Sequence, residues 1–195
     1  MRTKVMLFAI AIFLSACGGG GGIGGSASKM DIKIGGKDSP LAVKTSGSDK
    51  TVKTFTDTTG KMTKATSFYA IMASYDMDVT TVASMKKPVT AADQVRVMLQ
   101  LIGEEGTDQT SELKPGTYKA DPKEKFMKVD SLTVATFADG KETVTSFDTS
   151  FSTSKITGQA TVTSVTADAV SGTIDITDGD KSIKGSFTAK IAAKK

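Results

Sequence analysis

Ile156-Thr157-Gly158-Gln159-Ala160-Thr161-Val162, Val170-Ser171-Gly172-Thr173-Ile174-Asp175-Ile176 and Ile183-Lys184-Gly185-Ser186-Phe187-Thr188-Ala189-Lys190-Ile191 repeat one pattern near the end of the chain. In each run an apolar residue or glycine alternates with Thr, Ser, Gln, Lys or Asp, which is the period of a strand with one buried and one solvated face. Ala167-Asp168 and Asp178-Gly179-Asp180-Lys181 separate the runs and read as turns. The stretch therefore predicts a meander with one wet face. Gly158, Gly172 and Gly185 interrupt the apolar side, and Gly172 and Gly185 each mark a bulge or a place where a second backbone comes close.

The same period runs back toward the N-terminus. Phe126 to Phe137 and Glu142 to Phe147 flank Asp139-Gly140, a type I′ hairpin signal, and Pro115-Gly116 turns the chain ahead of Thr117-Tyr118-Lys119. Val89 to Gly103 carries two periods. Val95, Met98, Leu99 and Ile102 fit a helix capped by Thr90, whereas Val95, Val97, Leu99 and Leu101 fit a strand. The neighbouring β patterns favour the strand, with a short helix near 90–102 as the alternative. Ser67 to Tyr75 is apolar on both faces, which suggests a central strand covered on two sides. Thr45 to Lys64 is polar, with only Val52 and Phe55 as anchors and a turn at Asp57-Thr58-Thr59-Gly60, so it is either an edge hairpin or a mobile loop. Met30, Ile32 and Ile34 alternate with Asp31 and Lys33 before Gly35-Gly36, and Leu41 and Val43 make a short second strand. The expected fold is all-β, an antiparallel β-sandwich or flattened barrel formed by residues 29–195 as a single domain.

Composition removes several chemistries. The chain has no His and one Cys, so the commonest transition-metal ligand, the usual general base near neutral pH and any two-thiolate site are missing. Triads built on His are excluded with them. Ser-Lys catalysis needs no His, but no Ser-x-x-Lys motif opens a recognisable helix. The formal charge of +4 falls to +2 once Arg2 and Lys4 are set aside with the leader, and the remaining Lys are scattered among Thr, Ser and Asp with aromatics at 6%. That lacks the basic, aromatic signature of nucleic-acid binding.

The N-terminus is of a different kind. Met1-Arg2-Thr3-Lys4 precedes an apolar run from Val5 to Leu14 that is too short to span a bilayer, and small residues follow, as in a secretory signal peptide. Leu14-Ser15-Ala16-Cys17 resembles the lipobox of bacterial lipoproteins. That resemblance implies removal of residues 1–16, a diacylglycerol thioether on Cys17 with acylation of the new amine, and attachment to a membrane without a spanning helix. Residues 17–28, mostly glycine, then form a flexible tether with a mean reach of about 20 Å. This tract is similar to those of some surface-displayed lipoproteins of Gram-negative bacteria. Gly18 after the cysteine implies passage to the outer membrane under the enteric sorting rule. With Pro115-Gly116-Thr117-Tyr118 and the closing runs at Val170–Ile174 and Ile183–Ala189, the chain also resembles a loose class of lipoproteins of unknown function whose mature part is a β-sandwich or flattened barrel. The likeness carries no catalytic residue with it.

Among side chains that could bind something, Glu104, Glu105 and Asp108 share one loop and with carbonyls could hold calcium or contact a ligand weakly, although loop acids are usually only solvated. Asp175, Asp178 and Asp180 surround Gly179, but an EF-hand register would put Ile174 and Ile176 at ligand positions, which favours a plain hairpin turn. Met72, Met98 and Met127 read as core filler, and Tyr69, Tyr75 and Tyr118 as half-buried packing or the lining of a groove. The expectation is a lipoprotein of the cell envelope, lipid-anchored at Cys17, that is not an enzyme, uses no cofactor or metal, binds no nucleic acid and acts as an interaction or structural module toward an envelope partner. A small-ligand or calcium-binding protein is the alternative.

Overall fold

The computed structural model describes residues 28–150 and 153–191, so the leader, Cys17 and nearly all of the tether lie outside the described residues. The strands are β1 (Lys29–Ile34), β2 (Lys37–Asp38), β3 (Leu41–Ala42), β4 (Thr45–Thr56), β5 (Met62–Ala73), β6 (Val95–Ile102), β7 (Gly116–Lys119), β8 (Lys128–Ala138), β9 (Lys141–Phe147), β10 (Thr157–Val165), β11 (Ala169–Asp178) and β12 (Lys181–Lys190), with one helical turn, α1 (Val82–Met85). They form one sheet in the order β2-β1-β12-β11-β10-β7-β8-β6-β5-β4, with β3 on β1 and β9 on β8. The all-β expectation is met.

The antiparallel expectation needs one amendment: β7 meets β8 in parallel at Lys119 and Lys128, so the sheet is mixed. The sheet also rolls. A single parallel bridge between Ser48 and Ile191, with Ser48 Oγ donating to the Lys190 carbonyl at 2.9 Å, brings β4 beside the end of β12. No continuous ladder joins them among the described residues, so the sheet is open and not a closed barrel.

Residues 95–102 are strand, which overturns the helical alternative for 90–102. The reason is that β6 is hydrogen-bonded on both sides, to β5 and to β8, and buries both faces. Val97, Leu99 and Leu101 enter the main core, while Met98, which had supported a helical period, packs on the opposite face. Thr90 caps no helix, and its N–H donates to Gln94 Oε1 at 2.8 Å in a turn before the strand. The one helical turn lies earlier and is closed by a reciprocal pair, Ser84 N–H to Thr81 Oγ at 3.1 Å and Thr81 N–H to Ser84 Oγ at 3.2 Å.

The polar stretch from Thr45 is the edge hairpin. β4 and β5 pair residue for residue from Thr45–Ala73 to Thr56–Met62, and Asp57 Oδ1 accepts from Thr59 and Lys61 to set the turn. The Asp139-Gly140 turn has φ of 52° and 75°, the doubly positive pair that type I′ demands. In the closing meander Ala160, Val162, Val170, Ile174, Ile176, Ile183, Phe187 and Ala189 are all buried, as their alternation predicted.

Two cores sit on opposite faces of the sheet. The main one gathers Phe68, Ala70 and Met72 of β5 with Val97, Leu99 and Leu101 of β6 and the inward residues of the other strands. The second joins Ile71, Ala73, Ala135, Tyr75, Met77, Met85 and Val89. Its last four members belong to the connection from β5 to β6, which folds back over the outer face. That is why Ser67 to Tyr75 is apolar on both sides.

Candidate functional site

The acidic loop is held by its own hydrogen bonds. Glu104 pairs with Lys114 at 2.6 Å, Glu105 is exposed, and Asp108 Oδ1 accepts from the amides and hydroxyls of Thr110 and Ser111. The Thr110 hydroxyl, followed by its amide, keeps the exposed Asp108 carboxyl below the usual range. Thr66 Oγ donates to the Asp108 carbonyl at 2.5 Å, tying the loop to β5. Glu104 and Asp108 are thus engaged separately, and among the described residues no three His, Cys, Asp or Glu side chains converge as a metal site. Asp178 pairs with Lys181 at 2.5 Å and accepts the Asp148 N–H at 2.9 Å, while Asp175 pairs with Lys184 at 2.8 Å. These acids are occupied in a hairpin.

The tyrosines divide. Tyr118 is fully buried and donates to the Lys114 carbonyl at 2.8 Å, and burial, aided by the Glu104 charge, pushes its phenol far above the ordinary value. Tyr75 is buried in the second core, donates to the Lys87 carbonyl at 2.7 Å and is likewise raised by burial, against the pull of Arg96. Only Tyr69 is partly open. Met72 is core, and Met98 and Met127 are partly buried against the two cores.

Arg96, an outward residue of β6, is buried beneath the β5–β6 connection. Its Nη1 donates to the Lys86 and Lys87 carbonyls, its Nη2 meets Glu142 Oε1 at 2.9 Å, and the same carboxylate oxygen accepts the Val89 N–H at 3.2 Å. One arginine therefore fastens the connection to both β6 and β9.

Below that cover the outer face opens. The outward residues of β5 run Ala73, Ile71, Tyr69, Ser67, Ala65, and all but Tyr69 are at most 1% exposed. Tyr69 stands in a cross-strand row, Asp49–Tyr69–Gln100–Ser131, whose four members are each half-buried. Gln100 Nε2 donates to Ser67 Oγ at 2.8 Å. The row crosses the outer face as a strip, here called the trough, between two flanking features. One is the Arg96-fastened connection. The other is formed by Phe126, just ahead of β8, which stacks edge-on to Phe55 with ring centres 5.2 Å apart, and by Asp130 of β8, which meets Lys53 at 2.6 Å and Lys128 at 3.5 Å. A bulge in β8 places Asp130 there, because Gln100 faces Ser131 and Leu101 faces Val129, leaving Asp130 as the extra residue.

The chain matches no family model, no curated protein and no solved structure. The trough thus rests on its own residues. Tyr69 stood out in the sequence, and Phe55 only as an apolar anchor. Gln100 and Ser131 are ordinary outward strand residues, and Lys53 and Asp130 lie 77 positions apart. Arg96 left the one readable trace, a charge inside the apolar run Val95–Ile102 and the only arginine after Arg2.

Proposed function

We propose that the chain is a lipid-anchored module of the cell envelope, non-catalytic, which works by contact through the outer face of β4, β5, β6 and β8. The lipobox residues ending in Cys17 and the glycine tether support the anchor, and outer-membrane attachment in a Gram-negative bacterium follows from the same resemblance. The observation that carries the contact role is the half-buried row Asp49–Tyr69–Gln100–Ser131, which offers one aromatic ring and several donors and acceptors on one face of the sheet. Arg96, withdrawn beside this face, is engaged with Glu142 in fastening structure.

Two measurements test this reading. Cys17→Ser should move the protein from the membrane to the soluble fraction, and persistence in the membrane fraction overturns the anchor. A photo-crosslinking residue at Tyr69 in living cells should give a discrete adduct that the same residue at the exposed position Asp175 does not give. Equal labelling at both positions, or at neither, removes the contact role. A thermal-shift screen with calcium, sugars and lipids separates a contact module from a small-ligand binder, since only the latter gains several degrees from a free ligand.

A further inference from the structure

We infer that Lys53, Asp130 and Lys128 form a binding site for a tetrahedral oxyanion of the sulfate or phosphate class beside the trough. The Asp130 carboxylate lies between two ammonium groups, Lys53 Nζ at 2.6 Å from Oδ2 and Lys128 Nζ at 3.5 Å from Oδ1. Two cations around one anion leave a net positive charge. The Asp130 and Lys128 side chains are only 11% and 9% exposed, which fixes the carboxylate and the Lys128 stem in place, while Lys53 is 40% exposed.

Lys128 is the decisive member. Its contact with Asp130 is longer than the roughly 2.7–2.9 Å of a charge-assisted hydrogen bond. No other acceptor among the described residues meets its ammonium, although that group carries three donors. The Lys128 stem is nearly buried, but its ammonium is not among the buried atoms left without a partner and so keeps contact with solvent, where an incoming anion can reach it and supply the missing oxygens. Lys53 reaches the same carboxylate from the solvent side and leaves an approach open. The bulge that adds Asp130 to β8 is pinned by Thr149, a buried residue whose Oγ donates to the Asp130 carbonyl at 2.6 Å. Ser131, next in sequence, belongs to the trough, so an oxyanion borne on a polyol can lay its hydroxyls along Gln100 and Tyr69. This site stands whether or not Cys17 is lipidated.

The test is calorimetric titration of the detergent-solubilised protein with sodium sulfate and, separately, glycerol phosphate, at ionic strength held constant with chloride. Saturable binding of either supports the site; tighter binding of glycerol phosphate assigns the trough to the rest of the ligand, and equal binding assigns the site to the free ion. Lys128→Met, close to isosteric, should weaken binding at least about tenfold, and the more exposed Lys53→Met should weaken it too, which guards against misfolding of the first variant. Asp130→Asn, which removes the competing negative charge, should tighten it. A purely structural ion triad gives a different pattern. Absence of saturable binding to both probes, or Lys128→Met binding as the unaltered protein does, overturns the inference.

Discussion

Arg96 and Glu142 meet at 2.9 Å beneath the β5–β6 connection, with side chains 7% and 25% exposed. The pair joins strands β6 and β9 and, through the Lys86 and Lys87 carbonyls and the Val89 N–H, the connection above them. Removing one partner of such a buried pair strands the other. Glu142→Ala should therefore cost about 3 kcal/mol in urea unfolding, as should Arg96→Ala. The double variant should cost clearly less than the sum of the two. Additive losses would show that the two side chains do not act as a unit.

Gly172 separates close approach from backbone strain. A Cβ built there lies 2.2 Å from the Thr161 carbonyl oxygen and 2.9 Å from the Phe187 ring, and neither backbone nor buried ring can yield cheaply. Gly172→Ala should cost about 3 kcal/mol, at the upper end of overpacking. Gly36, with φ of +76° and open space around it, should cost only about 1 kcal/mol when replaced by Ala. Similar losses at the two sites would sink the distinction.

What was legible in the sequence follows from which faces are wet. β10 to β12 show a clean period of two because one side meets solvent, so Gly172 and Gly185 could be read as close approaches, and each proves to lie under another backbone, as does Gly158. β6 gave two periods because both its faces are buried, which erases the alternation that separates strand from helix. β4 hid for the opposite reason. Its residues are nearly all polar, and its twelve-residue length is imposed by pairing with β5. In the connection, Tyr75, Met77, Met85 and Val89 follow no period, since they pack from an irregular chain. The trough combines residues of four strands, a relationship that only register creates.

Asp178 sets an acid limit. Burial alone would raise its carboxyl, but the Lys181 ammonium and the Asp148 N–H outweigh that and hold it below the usual range. A depressed carboxylate contributes stability that is present above its unfolded value, near 3.8, and is lost as pH falls through the lower folded value. Asp178→Asn should thus cost about 2 kcal/mol at pH 7, and the gap to the unaltered protein should close below about pH 4. Denaturation curves across that range check it. A gap independent of pH would rule out the charge as the cause.

Tyr118 sets the alkaline limit by the opposite sign. Its phenol is raised chiefly by burial, so the folded state holds the proton more tightly than the unfolded chain does. The associated stability is complete below the ordinary tyrosine value of about 10 and drains away as pH climbs toward the folded one. At pH 8 Tyr118→Phe should cost about 1 kcal/mol, the hydrogen bond to the Lys114 carbonyl. Above pH 10 the deficit should shrink, since the variant has no proton to lose at that position. Ultraviolet titration of phenolate should show both Tyr75 and Tyr118 ionising above the normal range.

Gly47 reports on the cover. It lies in β4 under the β5–β6 connection, and a Cβ there would sit 2.9 Å from Val79 Cβ and 3.0 Å from the Met85 sulfur. The close approach is between side chains and a bare backbone, so the connection seats on β4 only because that position has no side chain. Gly47→Val should wedge it upward without touching the main core, whose residues lie on the other face of the sheet. Amide exchange should then quicken across 75–94, where the latch of Arg96 would be stretched, while β10 to β12 keep their protection. Uniform loss of protection throughout the sheet would mean that the cover and the main core unfold together, and that the second core is no separate layer.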